Sequence, residues 1–497
     1  MVGSTGMSEK PRPGISGMSL YVPALRVPLE SWCAWTGNAW QKVQAVVGRS
    51  FRCPAPDENV YTLAATAILR LIRKYDVDPR RVGYLAFGTE TSTDNSAGAV
   101  ILRGMVDRAL EQLGLPRLSR SLEVPEFKHA CLGGVYAMKG AARYHALDGG
   151  DRLSIVVCAD IAEYERGSTG EQTQGAGAIA LLIEPRARLL ELDLAHSGSA
   201  SDYRGPDFRK PHARHFVESY AKNKPRLHDY PVFSGKYSTF AYVEETIRAF
   251  DDMVRRLGVP ALDALKSPEA IFFHRPYHHM PIQAAAYLYL RALLQSPPEN
   301  ALLQSLCKET GTTREAVDAE ANSNPDLFAR VMAGSAELDP FPVTSQVVGA
   351  LRKTDDFKSF VASKMSLGSR GAAELGNLYT AALPAWIAAG LEEALSKNID
   401  LTEKRLLALG YGSGDAAEAI PLRVVPNWTE AAKRIGFAEA LEHPADLTQA
   451  QYESLHDTRI AENLPKIPGD RFRITGIGEK YDVSFQDLGV EYYEYVR

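Results

Sequence analysis

Apolar positions recur along the chain in two alternating rhythms. From Tyr61 to Lys74 they fall three and four apart, with Ala64, Ala65, Ile68, Leu71 and Ile72 on one face, which predicts an amphipathic helix. The unbroken apolar run Val82–Phe87 predicts a strand that ends at Gly88-Thr89-Glu90. A second helix is expected to begin near Asn95 or Ser96, both good capping residues. Cys131-Leu132-Gly133-Gly134 punctuates the chain before another helical stretch, from about Val135 to Leu147. Leu153–Cys158 and Ala176–Ile183 read as buried strands. Further on, Thr239–Leu257 predicts a helix, Glu269–Phe273 a strand ending at His274, and Leu378–Leu395 a long helix. Leu406–Leu409 and Ala419–Val425 read as two more strands. Strands alternating with helices in this way predict an α/β protein whose sheet is covered on both faces.

Composition narrows the partners. Of 497 residues, 45% are apolar and 24% charged, which is globular and argues against a disordered or fibrous chain. Acidic residues outnumber basic ones 61 to 56, a net charge of −5, so no basic field exists to hold nucleic acid or an anionic membrane. No run approaches the roughly 18 apolar residues of a membrane span. The Gly-, Ser- and Pro-rich start lacks both the apolar core of a signal peptide and the Arg-rich character of a transit peptide. Cys33, Cys53, Cys131, Cys158 and Cys307 are odd in number and form no CxxC pair, so a reducing cytoplasm is expected. Pro206–Tyr230 reads as a basic, His-bearing loop and Ser296–Pro342 as helical excursions outside the core. No short-period repeat or low-complexity tract is present.

Several segments carry chemistry. Gly175-Ala176-Gly177-Ala178 matches a loose dinucleotide fingerprint, but its glycines run into an apolar strand where the fingerprint opens a helix. His274, His278 and His279 cluster around Pro276, which spoils helical spacing, and no HExxH accompanies them, so no metal site is expected. His274 nevertheless stands at a strand end, where catalytic groups project in α/β sheets. Cys131 lies among small residues just before a helix, whose positive end favours a thiolate. A buried structural cysteine fits the same spacing, and Cys158, inside a strand, reads as that kind. Glu90 ends a strand where partial desolvation would raise its pKa toward that of a general base. A capping or solvated carboxylate is the other reading.

Together these segments resemble the 3-hydroxy-3-methylglutaryl-CoA synthase family of thiolase-fold condensing enzymes, from about Gly14 to Arg497. Nine blocks carry the resemblance in the family's order. They are Gly88-Thr89-Glu90 with Asp94; Ala130-Cys131 with Gly133-Gly134; Asp160-Ile161-Ala162 with Tyr164; and Thr173-Gln174-Gly175-Ala176-Gly177-Ala178. Then come Asp207-Phe208 with Lys210-Pro211; Tyr230-Pro231-Val232 with Gly235-Lys236; and His274 with Pro276-Tyr277. Gly376-Asn377-Leu378-Tyr379-Thr380 and Tyr411-Gly412-Ser413-Gly414 complete the set.

The resemblance implies two similar halves, 14–190 and 191–497, packed as a five-layer αβαβα sandwich. A flexible segment 1–13 precedes them, and helical insertions lie near 206–230 and 296–342. It implies Cys131 as nucleophile, Glu90 as general base and His274 as the residue that binds the acetoacetyl group. Asn377 matches the asparagine near the acyl pocket, and Asp94, Asp160 and Asp207 match supporting carboxylates. Thr173, Ser238 and Ser413 match positions lining the substrate or its pantetheine arm. The implied reaction joins a Cys-bound acetyl group, taken from acetyl-CoA, to the ketone of acetoacetyl-CoA and then hydrolyses the enzyme thioester. It needs no cofactor or metal. A homodimer, and a thiolase partner supplying acetoacetyl-CoA, are the expected associations, in isoprenoid or polyketide synthesis.

Departures from the pattern concentrate around the carrier. The family's Glu-Ala-Cys-Tyr is His129-Ala130-Cys131-Leu132 here, and lysines expected five and nine positions after the histidine are His279 and Gln283. Arg209 replaces an aromatic and Ser234 an aspartate, while Arg214, Lys222 and Lys224 offer substitute cations. These changes open a reading in which the acyl groups ride on acyl carrier protein, as in polyketide β-branching. A decarboxylative ketoacyl synthase built on Cys131, His274 and Asn377 is a further option, against which Glu90 argues. A non-catalytic thiolase-fold scaffold subunit is the reading from a different class.

Overall fold

The computed structural model describes residues 12–94, 96–205, 207, 230–231, 234–297 and 299–497. The expectations for residues 1–11, for Asn95 and for most of the 206–230 insertion, including Phe208, Arg209, Lys210, Arg214, Lys222 and Lys224, lie outside these residues.

The chain opens with β1 (Gly14–Tyr21), followed by β2 (Leu25–Pro28) and β3 (Ser50–Arg52), which form a small sheet with Ala445–Asp446. The main sheet continues with β4 (Val82–Gly88), β5 (Glu126–Phe127), β6 (Leu153–Ala162) and β7 (Gly175–Glu184). It is extended by β8 (Leu190–Leu192), β9 (Gly198–Ser201), β10 (Ala270–Phe273), β11 (Arg405–Gly412) and β12 (Ala416–Val424). The order is β5-β4-β6-β7-β1, continued through β8 to β12-β11-β10, with β9 also on β12.

One pairing pattern occurs twice. β4 and β6 run parallel, and β6–β7 and β7–β1 are antiparallel. Likewise β10 and β11 run parallel, β11–β12 is antiparallel, and β12 is antiparallel to both β8 and β9. Each copy inserts a buried helix between its two parallel strands: Gly133–Leu147 in the first, Ala382–Ser396 in the second. The first of these packs on β4 and β6, while Leu132 and Val135 meet Gly410 of β11 and Lys139 pairs with Glu418 of β12 at 2.6 Å. Helices Val60–Lys74 and Gly98–Gln112 cover one outer face, and Lys236–Leu257 and His279–Leu294 the other. The layers therefore alternate helix, sheet, helix, sheet, helix, as expected. The 296–342 excursion contains helices Ala301–Glu309, Arg314–Ala321 and Leu327–Met332.

Three elements differ instructively from the pattern-based expectation. Helix Val60–Lys74 begins with an Asn59 capping box and is buried almost all round, because Phe472 of the C-terminal hairpin closes its outer face, donating its N–H to Thr66 Oγ1 at 3.0 Å. The next helix starts at Gly98, later than Ser96, whose φ of +64° is left-handed. The Asp94 carboxylate caps Ala97, and Glu126 Oε2 accepts from the Gly98 N–H at 2.9 Å. The helix expected from Leu378 is a 3-10 turn at Tyr379–Ala381 before the α-helix begins at Ala382. There Asn377 Oδ1 accepts from the Tyr379 N–H at 2.9 Å, and Tyr379 has a φ of +45°.

Candidate active site

The doubled pattern places chemistry at equivalent points. Glu90 follows the carboxyl end of β4, and His274 the carboxyl end of β10, the ends from which side chains reach ligands in parallel sheets. Cys131 precedes the central helix of the first half, and Asn377 that of the second. The close approach needed there explains two glycines. A Cβ on Gly88 would lie 2.5 Å from Gly134 Cα, and one on Gly134 would lie 2.4 Å from Cys158 Sγ. Ala130, just before the nucleophile candidate, has a left-handed φ of +41°, a strained turn that presents Cys131.

The Cys131 thiol is 7% exposed and donates to Glu90 Oε2 at 3.4 Å. It lines a cavity of about 240 Å³ shared with His274, Thr173, Ser238, Asn377 and Ser413. Tyrosines 164, 242, 277 and 411, with Met280, form much of the remaining wall. Burial pushes the Cys131 thiol well above its ordinary value, and the charges of Glu90 and Asp160 push it the same way. The helix N-terminus expected to favour a thiolate is outweighed by desolvation, so the resting sulfur holds its proton.

Asp160 and Glu90 are coupled through backbone. Asp160 is buried, and its Oδ1 accepts from the N–H groups of Glu90 and Thr91 at 2.8 and 2.9 Å. Its Oδ2 accepts from the Thr380 N–H at 3.0 Å and the Thr380 hydroxyl at 2.5 Å. Burial raises the Asp160 carboxyl, while these donors pull it back. One carboxylate thus joins the Glu90 loop to the turn carrying Asn377. Asn377 donates in turn to the Tyr164 hydroxyl at 3.4 Å.

His274 is 2% exposed, its ring lying between Tyr242 and Tyr411, and burial lowers its pKa to about 3. It is a neutral imidazole at any physiological pH, suited to hydrogen bonding rather than to carrying charge. The unfolded chain protonates this ring near pH 6.5, and the folded one only near pH 3. Stability from keeping it neutral is complete above pH 6.5 and is lost as pH falls toward 3. In denaturant titrations His274→Gln therefore loses less stability than wild type between pH 6.5 and pH 4. Equal losses would contradict the assignment.

The other residues marked in the sequence sit as follows. Thr173, Ser238, Asn377 and Ser413 line the cavity. Asp94, Asp160 and Asp207 are not among its lining residues. Asp94 accepts from the Tyr61 hydroxyl at the start of helix Gly98–Gln112, and Asp207 from the Tyr411 hydroxyl at 3.1 Å. The three histidines diverge: His278 Nδ1 contacts Arg275 at 3.0 Å and His279 Nε2 contacts Arg352 at 2.6 Å. Among the described residues, no group of three His, Cys, Asp or Glu side chains is arranged to hold a metal ion. Pattern reading passed over Tyr242, inside a helix, and Arg204, in the polar stretch Ser201-Asp202-Tyr203-Arg204-Gly205. The acids that surround Arg204, namely Asp202, Glu244, Glu245 and Asp415, are spread along the chain, so local pattern carries no signal of its burial.

Known proteins share this arrangement of chain. The family model described as hydroxymethylglutaryl-coenzyme A synthase N terminal matches residues 10–188. The hydroxymethylglutaryl-CoA synthase of Haloferax volcanii is 26% identical over 438 residues, covering 86% of this chain and 88% of that protein. That of Ganoderma lucidum is 28% identical over 456 residues, covering 88% and 86%. The solved structure of MvaS in complex with 3-hydroxy-3-methylglutaryl coenzyme A superposes with a TM-score of 0.74 at 26% identity, covering 98% of this chain and all of that one. The curacin-pathway HMG synthase, solved in complex with apo donor-ACP, shares the fold at 18% identity with a TM-score of 0.68. The repeated half-sheets and the buried helix behind Cys131 agree with these comparisons: residues 10–188 match the N-terminal model of the hydroxymethylglutaryl-CoA synthases, and most of the chain is similar in sequence and fold to members of that family.

Proposed function

We propose that the protein is a condensing acyltransferase that joins a Cys131-bound acetyl group to the ketone of acetoacetyl-CoA or a related β-ketoacyl thioester. The observation that carries this reading is the contact between Cys131 and Glu90 beside a cavity that also receives His274. The described lining of that cavity includes no lysine or arginine, which suits an uncharged acyl group and the amides of a pantetheine arm, leaving phosphates outside.

Glu90 takes the thiol proton, and the sulfur attacks the acetyl thioester carbonyl. The carbon–sulfur bond to CoA breaks, and the departing thiolate receives that proton. Backbone N–H groups of Cys131 and Ser413 are the donors we assign to the carbonyl oxygen. Glu90 next removes a methyl proton from acetyl-Cys131, and the enolate carbon bonds to the acceptor's ketone carbon. His274, neutral, donates a hydrogen bond to the new alkoxide, which takes up the proton held by Glu90. Water then cleaves the thioester, releasing the carboxylic acid and restoring the thiol. These steps use side chains and the two thioesters, with no cofactor. We read Asp160 as the residue that positions Glu90, and Asn377, Thr173, Ser238 and Ser413 as the substrate wall.

Purified protein given acetyl-CoA and acetoacetyl-CoA should release a hydroxymethylglutaryl thioester, identified by mass. No product from either CoA or carrier-protein acceptors would overturn the reading. Presenting the acceptor on acyl carrier protein tests the second reading, which His279 and Gln283 favour. The neighbouring cation Arg352, 2.6 Å from His279 through Nη2, suits a phosphate on either carrier. A homodimer, and supply of acetoacetyl-CoA by a thiolase, follow from the family resemblance and extend this proposal. So does a cytoplasmic location, supported by five free cysteines and by the lack, among described residues, of a helix long and apolar enough to cross a membrane.

A further inference from the structure

We propose that Arg204 is a positioning residue of this site: its buried guanidinium fixes the Tyr411–Asp415 turn, and with it Tyr411 and Ser413, against the helix that carries Ser238 and Tyr242. The inference rests on the condensing reading above.

Arg204 is 1% exposed and meets carboxylates in three directions. Its Nη1 lies 2.9 Å from Asp202, its Nη2 lies 2.6 Å from Glu245 and also pairs with Glu244, and its Nε lies 3.3 Å from Asp415. Its backbone joins the same parts. The Arg204 N–H donates to the Gly414 carbonyl at 3.0 Å, and its own carbonyl accepts from the Tyr237 hydroxyl at 2.6 Å. Asp202 and Asp415 exchange backbone hydrogen bonds at 3.2 and 3.0 Å.

Side chain and backbone of Arg204 therefore tie together residues 202–205, helix Lys236–Leu257 at Tyr237 and at Glu244-Glu245, and the 411–415 turn. The helix and the turn both deliver cavity residues, Ser238 and Tyr242 from one, Tyr411 and Ser413 from the other. Tyr411 closes the loop. It stacks on His274, and its hydroxyl donates to Asp207 at 3.1 Å and Asp415 at 3.4 Å.

The residue type follows from the geometry. A guanidinium presents five donors in a rigid fork and spans several carboxylates at fixed angles, whereas a lysine ammonium is a single point on a flexible stem. Buried ion clusters of this kind contribute little net stability over apolar packing of the same volume. What the fork supplies here is a fixed distance between two walls of the cavity. Reacting groups displaced by about 1 Å can lose about 10²-fold in rate.

The test uses the full chain with Arg204→Lys, comparing unfolding midpoint, acetylation of Cys131, and kcat and KM for condensation. The expected variant is folded and acetylated to the wild-type extent, with kcat reduced by about 10- to 100-fold and KM for each thioester changed by a smaller factor than kcat, because Arg204 acts only through the walls it holds. Wild-type kcat, or a loss no larger than the unfolded fraction, overturns the proposal. Should Arg204→Lys fail to fold, Asp415→Ala removes the partner on the turn and leaves Arg204 paired with Glu244 and Glu245. A kcat reduced by a larger factor than KM changes is expected there too, and a wild-type kcat overturns the proposal. A wild type that neither acetylates nor condenses contradicts the condensing reading instead.

Discussion

Cys131→Ser carries no acetyl group after incubation with acetyl-CoA, and its condensation rate falls by more than about 10⁴-fold. The hydroxyl occupies the same pocket as the thiol, against Ala162, Tyr164 and Tyr379, so the fold is retained. What is lost is a proton acidic enough to move. Even the thiol needs help, since burial and two nearby carboxylates hold it protonated at rest. Its proton leaves quickly because Glu90 Oε2 stands 3.4 Å away to receive it. A serine hydroxyl, far less acidic than a thiol, does not ionise under the same desolvation. Intact-protein mass and product formation measure both consequences. A serine variant that acetylates as fast as wild type would remove Cys131 from its role.

Glu90→Gln separates the two halves of the reaction. The amide keeps the backbone N–H bonded to Asp160, so the loop stays where it is. It no longer accepts a proton, and enolate formation has no base. Condensation falls by about 10²- to 10⁴-fold, the usual contribution of a positioned acid–base group. Acetylation of Cys131 slows but reaches the wild-type extent, because the CoA thiolate is a good leaving group and bulk base can take the thiol proton on a longer timescale. Stopped-flow acetylation and steady-state product release measure the split. A variant that condenses at the wild-type rate would leave Glu90 without its function.

Much of this site is legible in the linear pattern because it sits where patterns break. β4 is an unbroken apolar run bounded by Gly88, so the position of Glu90 at a strand end follows directly. Cys131 is marked by the glycines behind it, which the packing of Gly134 on Cys158 requires. The parts that misled are those where distant groups override local preference. The start of helix Gly98–Gln112 is set by Glu126, and the 3-10 turn at Tyr379 by Asn377 and Asp160. The state of the thiol belongs to the same class, since a helix end is local and desolvation is not. The doubled half-sheet left no readable repeat because hydrogen-bond topology recurs there while side chains differ: Glu90 in one half corresponds to His274 in the other. Nothing in the chain around Arg204 signals that a cation is buried among acids drawn from three segments.

Acetyl transfer to the enzyme can be read directly. Wild-type protein is incubated with labelled acetyl-CoA alone, quenched in acid, digested and mapped by mass spectrometry, with a second sample chased by acetoacetyl thioester. One acetyl group per chain on the peptide containing Cys131, discharged by the chase, is the predicted result. Label found only elsewhere, or none at all, would contradict the assignment of this cavity as a site of covalent acyl transfer.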